Sequence, residues 1–573
     1  MKVLDVRLFL GALTVVFIVS CKPKAQVSAW QLDQSPVVFP EESLNLPSTG
    51  VCFSGGGTRA LSCAAGQMKG LHELGLWEDV GYVSCVSGGS WASTIFTYCD
   101  STISDKELLG EIRAPGDLDM KFLGRMSEKF LGYSATRSLE EILLEKIIVE
   151  RLSSGALDPA DRIWIDAVGH TYLEPYGIYD PLKPRYFTLD IKTMRQIVKA
   201  NPYLKLSAKD FYRVHDADGD VKRPFLVINS CLMAPASTLP LDTANRAVVF
   251  NYTPLYVGTA HGMEVKYVSR VKGASEKARI GGVFLQPVGF SGEAPDSWSP
   301  AGIQQLKLGH KKFRLADATG TSSSAYAATV AVSAMWEQVS SKVLLGFQLD
   351  QMMPEEPYWT VNRNTIIPEQ NYRFGDGGNL ENYGLLTLLQ RGLGKIVVFV
   401  NSASPIVDAC FDSVPNPTDY ASIDPDLPPL FGYKGGILTP NQANNTVFKQ
   451  EDFKKLYTLL YEAKMAGKPV MANMTMETVQ NDWWGIKGGN SVEILWVYNE
   501  QVDDWQDQLP KKVQDEIAKG NSGDFPNFPF YKTMFEDGIR LVQYTPEQVN
   551  LLYQLSAWNV YTNAEMFEFL KED

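Results

Sequence analysis

The apolar positions of this chain follow two patterns, short continuous runs and longer stretches with helical spacing. The helical spacing predicts helices over residues 59–76, 91–98 and 381–389. Continuous apolar runs of strand length lie at 50–53, 82–86, 225–229, 395–400, 469–473 and 492–498. Because the two kinds of element alternate, we predict an α/β layered fold around a central, mostly parallel sheet.

Two stretches, at about 100–222 and 410–470, are rich in charged residues, proline and aromatics and do not fit this alternation. They are more typical of insertions than of sheet strands, and we expect the one at about 100–222 to form a cap. No linker rich in Gly and Ser divides the chain. We therefore predict one large domain over residues 48–573.

The amino-terminal residues 1–20 have the pattern of a signal peptide. Lys2 and Arg7 precede an apolar run at 8–19 that is too short to span a bilayer comfortably. The sequence Ile-Val-Ser-Cys at 18–21 resembles the lipobox of bacterial lipoproteins, in which the cysteine becomes the lipidated first residue. We predict an exported, membrane-anchored lipoprotein with a lipid on Cys21 and a tether at 21–47. The alternative is plain secretion after cleavage near the same place.

The net charge of the chain is -13, so there is no overall basic field to hold nucleic acid. The cysteines after Cys21 contain no C-x-x-C pair, and a structural zinc site is therefore not indicated. We expect most of these six to be buried, small apolar residues: Cys52, Cys63, Cys85, Cys99, Cys231 and Cys410.

Three glycine-rich turns are the candidates for chemistry. The first turn, Ser-Gly-Gly-Gly-Thr-Arg-Ala at 54–60, lies between a predicted strand and a predicted helix. Consecutive glycines expose backbone N–H groups, and the helix that follows adds the positive end of its dipole, so the turn can hold an oxyanion or a phosphate. It lacks the Gly-Lys-Ser/Thr ending of a P-loop. Taken alone, it is equally consistent with a tight structural turn.

The second turn, at 82–91, reads Tyr-Val-Ser-Cys-Val-Ser-Gly-Gly-Ser-Trp. A strand, a serine and two glycines that open a helix are what a nucleophile elbow requires, although Cys85 takes the first glycine position of the usual G-x-S-x-G pattern. The third turn, Phe-Gly-Asp-Gly-Gly-Asn at 374–379, places Asp376 between glycines where another turn can approach closely. An isolated Asp-Gly-Gly is usually only a turn.

Together, the three turns resemble the group IV cytosolic phospholipase A2 and fungal phospholipase B family, which is related to the patatin-like lipases. The family pattern is S-G-G-G-x-R-A, then a G-L-S-G-G-S-W or G-L-S-G-S-T-W elbow, and later a D-S-G or D-G-G aspartate. Further matching segments lie at 250–258, 321–324 and 386–392. The resemblance covers roughly residues 48–435 and implies a patatin-like or cytosolic-phospholipase-like fold with a phospholipase catalytic domain.

The resemblance implies a Ser-Asp dyad that needs no histidine, metal or cofactor. Ser87 would attack the acyl ester, and Asp376 would accept its proton. The N–H groups of Gly56 and Gly57 would form the oxyanion hole, while Arg59 would stabilise the lipid phosphate or negative charge near the site. The implied partners are a phospholipid substrate and the phospholipid membrane surface.

The positions of the histidines argue independently against a Ser-His-Asp triad. In α/β-hydrolases the chain order is Ser, then Asp, then His, but no histidine follows His310. Asp376 therefore cannot be the middle member of such a triad.

Two apparent metal-binding motifs are incomplete. His72 lacks the second histidine of a zinc-binding H-E-x-x-H motif, and the acidic run at 216–220 departs from an EF-hand at its sixth position.

The expected activity is calcium-independent hydrolysis of glycerophospholipid acyl esters, as a phospholipase A2 or lysophospholipase. Calcium is not expected because fewer than thirty residues separate Cys21 from the first motif, too few for a calcium-dependent membrane-binding module. Two alternatives remain. One is a lipid transacylase that uses the same dyad, and the other is a catalytically silent, membrane-anchored lipid-binding protein.

Overall fold

The structure is a computed structural model in which fifteen segments of the chain are described. They are residues 22–32, 37–153, 160–215, 222–235, 238–239, 247–260, 263–269, 275–309, 311–325, 343–344, 347–348, 352–408, 423–433, 444–534 and 541–571. The predicted signal peptide, Cys21, Cys410 and the acidic run at 216–220 lie outside these segments. His261 and His310 do as well.

The strands within the described segments build one large sheet and three small ones. They are β1 (Lys24–Gln31), β2 (Thr49–Phe53), β3 (Tyr82–Val86), β4 (Tyr186–Thr188), β5 (Phe211–Arg213), β6 (Phe225–Pro235), β7 (Thr238–Leu239), β8 (Ala247–Tyr252), β9 (Val257–Thr259), β10 (Met263–Ser269), β11 (Ser275–Ile280), β12 (Val283–Leu285), β13 (Ile303–Lys307), β14 (Val343–Leu344), β15 (Phe347–Gln348), β16 (Glu355–Asn362), β17 (Thr365–Asp376), β18 (Lys395–Val400), β19 (Met471–Glu477) and β20 (Ser491–Tyr498).

The central sheet has the strand order β13-β1-β12-β9-β8-β6-β3-β2-β18-β20-β19, and β17 pairs with both β16 and β6. The five consecutive strands β6, β3, β2, β18 and β20 run parallel to one another. Strands towards both ends of the sheet pair antiparallel. All six predicted strands are present, and the α/β layered fold is confirmed.

The continuous apolar runs form strands because the middle of the sheet is covered on both faces. Every residue of β2 and β3 is buried, which is the environment that parallel strands with helical connections require. Strand β19 instead alternates buried and exposed residues at the sheet edge. The pattern of burial therefore follows the position of each strand in the sheet.

The helices lie between the strands and at the carboxyl end. The described α-helices are α1 (Gly57–Glu73), α2 (Ser87–Tyr98), α3 (Asp105–Leu109), α4 (Met120–Leu123), α5 (Leu139–Ser153), α6 (Ile163–Val168), α7 (Ile191–Ala200), α8 (Leu315–Ser322), α9 (Leu385–Gln390), α10 (Gln450–Met465), α11 (Asp503–Gln506), α12 (Lys511–Ala518), α13 (Pro546–Tyr561) and α14 (Ala564–Phe567). The three predicted helices correspond to α1, α2 and α9.

Helix α13 joins the carboxyl-terminal part of the chain to the core, because it crosses α1 closely. Gly66 and Gly70 lie one turn apart on the face of α1 that meets α13. A Cβ atom on Gly70 would lie only 2.5 Å from the Cβ of Val560. Glycine at these positions lets the two helix backbones approach.

The described part of the segment at 100–215 contributes α3 to α7 and the two-stranded sheet β4-β5, but no strand of the central sheet. Helix α6 from this segment packs against α8. Trp164 of α6 donates a hydrogen bond from Nε1 to the Gly320 carbonyl oxygen, at 2.9 Å. The segment therefore lies against the core through α6.

The expected tether at 21–47 is the point at which the structure departs from the sequence analysis. Lys24–Gln31 forms β1, which pairs with both β12 and β13 inside the central sheet. Ala25, Val27 and Ala29 alternate with more exposed residues and are buried. This alternation of period two is the signature of a half-buried strand, so the prediction of a free tether over this stretch is wrong.

Five cysteines are described: Cys52, Cys63, Cys85, Cys99 and Cys231. All five are buried, as expected.

Candidate active site

The second glycine-rich turn places Ser87 at the junction of β3 and α2. Strand β3 ends at Val86, and Ser87 begins the helix with a φ of 51°. A positive φ is uncommon for a residue with a side chain, and it is typical of the nucleophile in a strand-to-helix elbow. Ser87 is therefore held in a strained conformation at the carboxyl edge of the sheet.

The two glycines after Ser87 are required by the close approach of the first glycine-rich turn. A Cβ atom on Gly88 would overlap the carbonyl oxygen of Gly57, and one on Gly89 would overlap that of Phe53. The Cys85 side chain points away into the sheet, where its thiol contacts the Val227 carbonyl oxygen at 3.6 Å. Cysteine therefore fits where the usual elbow motif has glycine.

The first glycine-rich turn lies directly beside this elbow. Gly56 and Gly57 have φ values of 133° and 56°, which favour glycine. Gly56 is the N-cap of α1 and Gly57 is its first residue. Because the first amide groups of a helix have no intrahelical acceptor, their N–H groups can bind an oxyanion.

The third turn follows β17, which ends at Asp376. The Asp376 side chain accepts a hydrogen bond from the Gly378 N–H, with a distance of 2.8 Å between Oδ1 and N. It lines the same cavity as the Ser87 side chain, which acts to lower its pKa. A Cβ atom on Gly377 would lie 2.5 Å from the Asn229 carbonyl oxygen, so glycine is needed where this turn packs against β6.

Strand β6 explains why the second and third turns meet. The parallel strand β3 pairs Val86 with Asn229, while the antiparallel strand β17 pairs Asp376 with Ser230. Successive residues of β6 therefore hold the ends of two strands that approach from opposite directions. This register brings Ser87, one residue beyond Val86, next to Asp376.

Burial strongly perturbs the Asp376 carboxyl group, which is only 4% exposed. Loss of solvation raises the pKa of Asp376 from 3.8 to about 7, although the hydrogen bond from Gly378 and the nearby Ser87 side chain oppose this rise. Nearby, burial also raises the pKa of Glu381 to about 7. The Glu381 carboxylate accepts a hydrogen bond from the backbone N–H of Tyr383 at 2.6 Å.

A cavity of about 230 Å³ opens over these groups. Its lining includes the glycines, the Ser87 and Asp376 side chains and several apolar side chains: Gly56, Gly57, Ser87, Asp376, Trp91, Trp164 and Leu541. Trp164 comes from the inserted segment at 100–215. The cavity thus combines a few polar groups with apolar surface, as ligand pockets do.

Ser322, at the end of α8, is a functional candidate to which the sequence analysis gave no role. Its Oγ accepts a hydrogen bond from the Ser87 N–H at 3.1 Å and donates one to the Asn229 carbonyl oxygen at 2.6 Å. The hydroxyl therefore satisfies the buried amide of the strained elbow and ties it to β6. The Thr-Ser-Ser-Ser match at 321–324 was the available signal, but it did not single out one serine.

Arg59 lies against the first turn, and the residue is 6% exposed. Its Nε donates to the Asn401 carbonyl oxygen at 3.0 Å, and its Nη1 donates to the Tyr531 carbonyl oxygen at 2.9 Å. A Cβ atom on Gly56 would lie 2.8 Å from its Nη2. The positive charge is therefore buried directly beside the candidate oxyanion hole.

The carboxyl-terminal part of the chain also reaches the site. Thr533 and Leu541 lie against Gly57, where an added Cβ atom would be 3.2 Å from the Thr533 Cβ and 3.4 Å from the Leu541 Cδ2. Thr533 and Val542 are joined by a backbone hydrogen bond of 2.9 Å. No local sequence signal connected these residues to a turn almost 480 positions earlier.

The three described histidines lie away from the cavity. His170 contacts Glu174, and His215 contacts the Cys99 carbonyl oxygen. Burial lowers the pKa of His72 on α1. Within the described segments, no group of three or more His, Cys, Asp or Glu side chains is arranged to bind a metal ion. The same segments contain no helix with the length and apolar character needed to cross a membrane.

Comparison with known proteins finds similarity to cytosolic phospholipases A2. The chain is 40% identical to human cytosolic phospholipase A2 zeta over 154 residues, and this aligned region covers 25% of this chain and 18% of the human protein. It is 46% identical to the mouse zeta protein over 68 residues, and this aligned region covers 12% of this chain and 8% of the mouse protein. The matches thus span less than a fifth of the length of these relatives, and no family model matches the chain.

Among solved structures, human GIVD cytosolic phospholipase A2 aligns with a TM-score of 0.46 and 13% identity over 94% of this chain and 64% of that one. Its complex with methyl gamma-linolenyl fluorophosphonate inhibitor and terbium chloride gives a TM-score of 0.41 and 14% identity, over 94% and 61%. The sequence matches to the zeta proteins show that the chain is similar to cytosolic phospholipases A2 over a limited segment.

Proposed function

We propose that this protein hydrolyses acyl esters of glycerophospholipids through an acyl-serine intermediate. The observation that carries the proposal is the placement of the strained Ser87 and the buried Asp376 in one cavity, which Gly56 and Gly57 also line. Sequence similarity to phospholipases A2 supports the substrate class. The apolar walls of the cavity suit an acyl chain.

In the first half of the reaction, the Ser87 Oγ attacks the ester carbonyl carbon while Asp376 accepts the hydroxyl proton. The carbonyl oxygen becomes an oxyanion that accepts hydrogen bonds from the N–H groups of Gly56 and Gly57. When the tetrahedral intermediate collapses, the carbon–oxygen bond to the glycerol breaks. The leaving alkoxide takes the proton from Asp376 and departs as a lysophospholipid.

In the second half, water attacks the acyl-Ser87 carbonyl carbon and gives a proton to Asp376. Collapse of this second tetrahedral intermediate releases the fatty acid and returns the proton to the Ser87 Oγ. Asp376 therefore acts as base and then as acid in each half, and it ends the cycle unprotonated.

An ordinary carboxylate is a weak base for a hydroxyl, so burial of Asp376 is central to this proposal. A pKa of about 7 instead of 3.8 makes the ionised carboxylate a stronger base while leaving it substantially ionised near neutral pH. A His is then not required between the serine and the carboxylate. The same burial excludes water that would compete for the Asp376 hydrogen bonds.

We assign Arg59 a supporting role in charge stabilisation. Its guanidinium group is held by the Asn401 and Tyr531 carbonyl oxygens, so it lies beside Gly56 with a fixed orientation. A buried positive charge at this position favours the oxyanion electrostatically and also holds the first turn in place.

Calcium independence and membrane anchoring through Cys21 are part of the same proposal. Hydrolysis is expected to continue in excess EDTA, since no step of the dyad mechanism uses a metal ion. A lipid on Cys21 would keep the enzyme at the membrane, and Cys21→Ala should therefore shift it to the soluble fraction. Membrane retention of that variant equal to wild type would contradict the anchoring proposal.

The proposal is tested by the release of labelled fatty acid from phosphatidylcholine labelled at either the sn-1 or the sn-2 position. Wild type should release fatty acid, whereas Ser87→Ala and Asp376→Asn should not. Ser93→Ala is a matched control, because Ser93 is also a buried serine of α2 but does not line the cavity. Activity that persists in Ser87→Ala would refute the mechanism, and the labelled position that is released gives the regiochemistry.

A further inference from the structure

The segment at 180–213, within the predicted cap, has a charge opposite to that of the whole protein. It contains three acidic residues, Asp180, Asp190 and Asp210, and eight basic residues: Lys183, Arg185, Lys192, Arg195, Lys199, Lys205, Lys209 and Arg213. Its net charge is therefore +5, in a chain of net charge -13. Such a local concentration of positive charge creates a field that attracts an anionic partner.

Helix α7 arranges part of this charge as a stripe. Lys192, Arg195 and Lys199 are separated by three and then four residues, so they lie along one face of the helix, and all three are exposed. Met194 and Ile197 are buried on another face. None of the three basic side chains forms an ion pair with another residue of the described segments. The stripe is therefore available to a partner.

Immediately after α7, an aromatic ring projects into solvent between basic residues. Tyr203 is 93% exposed and lies four residues after Lys199 and two before Lys205. We call Lys192, Arg195, Lys199, Tyr203 and Lys205 the α7 surface. A ring with an apolar body and a polar hydroxyl, beside lysines, is the side-chain combination that favours the headgroup region of a bilayer.

The α7 surface is also close to the start of the described chain. Asn201, which follows α7, donates from Nδ2 to the Gln26 carbonyl oxygen at 2.8 Å and accepts from the Gln26 N–H at 2.6 Å. Gln26 lies in β1, five residues after Cys21, and five residues can span at most about 17 Å. An anchor on Cys21 would therefore hold the α7 surface close to the membrane.

We propose that the α7 surface binds an anionic lipid bilayer and sets the orientation of the protein on it. The inference rests on the proposed function, since an enzyme that acts on phospholipids must meet a bilayer. The residues that recognise anionic headgroups are then distinct from Ser87 and Asp376. Because β1 belongs to the sheet, the contact is made by the folded domain itself, without a long tether.

A bilayer fits these observations better than nucleic acid does. The α7 surface joins its charge to a fully projecting aromatic ring and lies near the candidate lipid attachment site, whereas the rest of the chain carries an excess of acidic residues that repels a long polyanion. Each basic residue near an anionic bilayer strengthens binding about fivefold. Three residues together therefore contribute about 100-fold.

The test uses the mature chain from residue 21 with Cys21→Ser, which lacks the lipid attachment but keeps every described residue. Co-sedimentation is measured with non-hydrolysable ether-lipid vesicles of phosphatidylcholine, with or without one third phosphatidylglycerol. The variant Lys192→Glu/Arg195→Glu/Lys199→Glu is compared with Lys468→Glu/Lys487→Glu/Lys512→Glu. This control changes the net charge equally at exposed lysines outside the α7 surface.

Wild type should bind the anionic vesicles at least 100-fold more tightly than the neutral ones, and the control should keep a clear preference for them. The α7 variant should bind the anionic vesicles at least 100-fold more weakly than wild type. Raising the salt concentration should reduce wild-type binding, since it screens exposed charges. Equal loss in the two triple variants, or equal binding of wild type to both vesicle types, would overturn the proposal, as would tighter binding of a DNA oligonucleotide than of the anionic vesicles.

A separate activity measurement distinguishes failure of this inference from failure of the proposed function. In neutral detergent micelles that contain phosphatidylcholine, the α7 variant should release fatty acid at the wild-type rate. Vesicle binding uses lipids that cannot be hydrolysed, so its outcome does not depend on the dyad. Loss of micellar activity in the α7 variant would contradict a role confined to the bilayer.

Discussion

Replacement of Asp376 by asparagine should abolish hydrolysis and at the same time stabilise the folded protein. Asparagine has almost the same shape and retains an oxygen that can accept the hydrogen bond from Gly378. It cannot ionise, so it avoids placing a negative charge in a site that is 4% exposed. An activity-stability conflict at Asp376 follows directly from this burial.

The size of this gain in stability follows from the pKa of Asp376, which burial raises from 3.8 to about 7. Each pH unit between the folded and unfolded pKa values corresponds to 1.36 kcal/mol, so the cost of ionising the buried carboxyl reaches about 4 kcal/mol. Between these pKa values the folded state binds a proton that the unfolded state has released. The contribution of Asp376 to stability is therefore lost as the pH rises from about 4 to about 7.

Urea unfolding of wild type and Asp376→Asn at pH 5 and pH 8 measures this cost. The variant should be more stable by up to about 4 kcal/mol at pH 8, and the difference should be much smaller at pH 5. Glu381, whose pKa is also about 7, affects both proteins equally, so the comparison isolates Asp376. Asp296→Asn, at an exposed position, is the control and should show no such pH-dependent gain.

Two results would refute this reasoning. One is a variant that is less stable than wild type at pH 8, and the other is an advantage of equal size at both pH values. The catalytic counterpart is a wild-type kcat/KM that increases with pH through a midpoint near 7, because only the ionised Asp376 can accept the Ser87 proton. A midpoint below pH 5 would contradict it.

Two further substitutions test the surroundings of the dyad, and a third tests a buried ion pair elsewhere in the fold. Gly57→Ala should lower kcat about 100-fold, since a Cβ atom at this positive φ displaces an oxyanion amide; fatty-acid release at saturating substrate measures it. Ser322→Ala should lower kcat at least tenfold, because it leaves the Ser87 N–H without its hydrogen-bond acceptor. The control Ser324→Ala should not lower kcat, since it removes only a hydrogen bond within its own turn. Arg391→Met should destabilise the fold by about 3–5 kcal/mol in urea unfolding, because it leaves the buried Glu41 without its positively charged partner.

Each substitution has an outcome that contradicts its reasoning. For Gly57→Ala, it is an unchanged kcat with a raised KM. For Ser322→Ala, it is an effect equal to that of Ser324→Ala, or a loss of stability without a loss of kcat. A destabilisation below about 1 kcal/mol in Arg391→Met would show that the buried pair with Glu41 contributes no more than an exposed pair.

The sequence predicted those parts of the site that depend on local backbone geometry. Glycines follow Ser87 because neighbouring backbone leaves no room for a Cβ atom, and a run of glycines is visible without any structure. A continuous apolar run likewise revealed β3, the strand before Ser87, because every residue of that strand is buried. No such run predicted β17, which ends at Asp376, because much of that strand is exposed. The predicted roles of Ser87, Asp376, Gly56, Gly57 and Arg59 in the reaction stay predictions.

Features that depend on pairing between distant segments could not be predicted in this way. The bond from the Ser87 amide to Ser322 joins residues 235 positions apart, and the contact of Thr533 with Gly57 joins residues even further apart. Neither leaves a periodic signal. Strand β1 differs, since Ala25, Val27 and Ala29 alternate with polar residues, and this alternation was outweighed by the polar composition of the predicted tether.

The central claim is that Ser87 is the nucleophile and Asp376 its base. It is tested most directly by incubating wild type, Ser87→Ala and Asp376→Asn with a long-chain fluorophosphonate and mapping the adduct by peptide mass spectrometry. The account predicts one stoichiometric adduct on Ser87 in wild type, none in Ser87→Ala, and labelling slowed at least 100-fold in Asp376→Asn. An adduct on another residue, or labelling of Asp376→Asn at the wild-type rate, would contradict it.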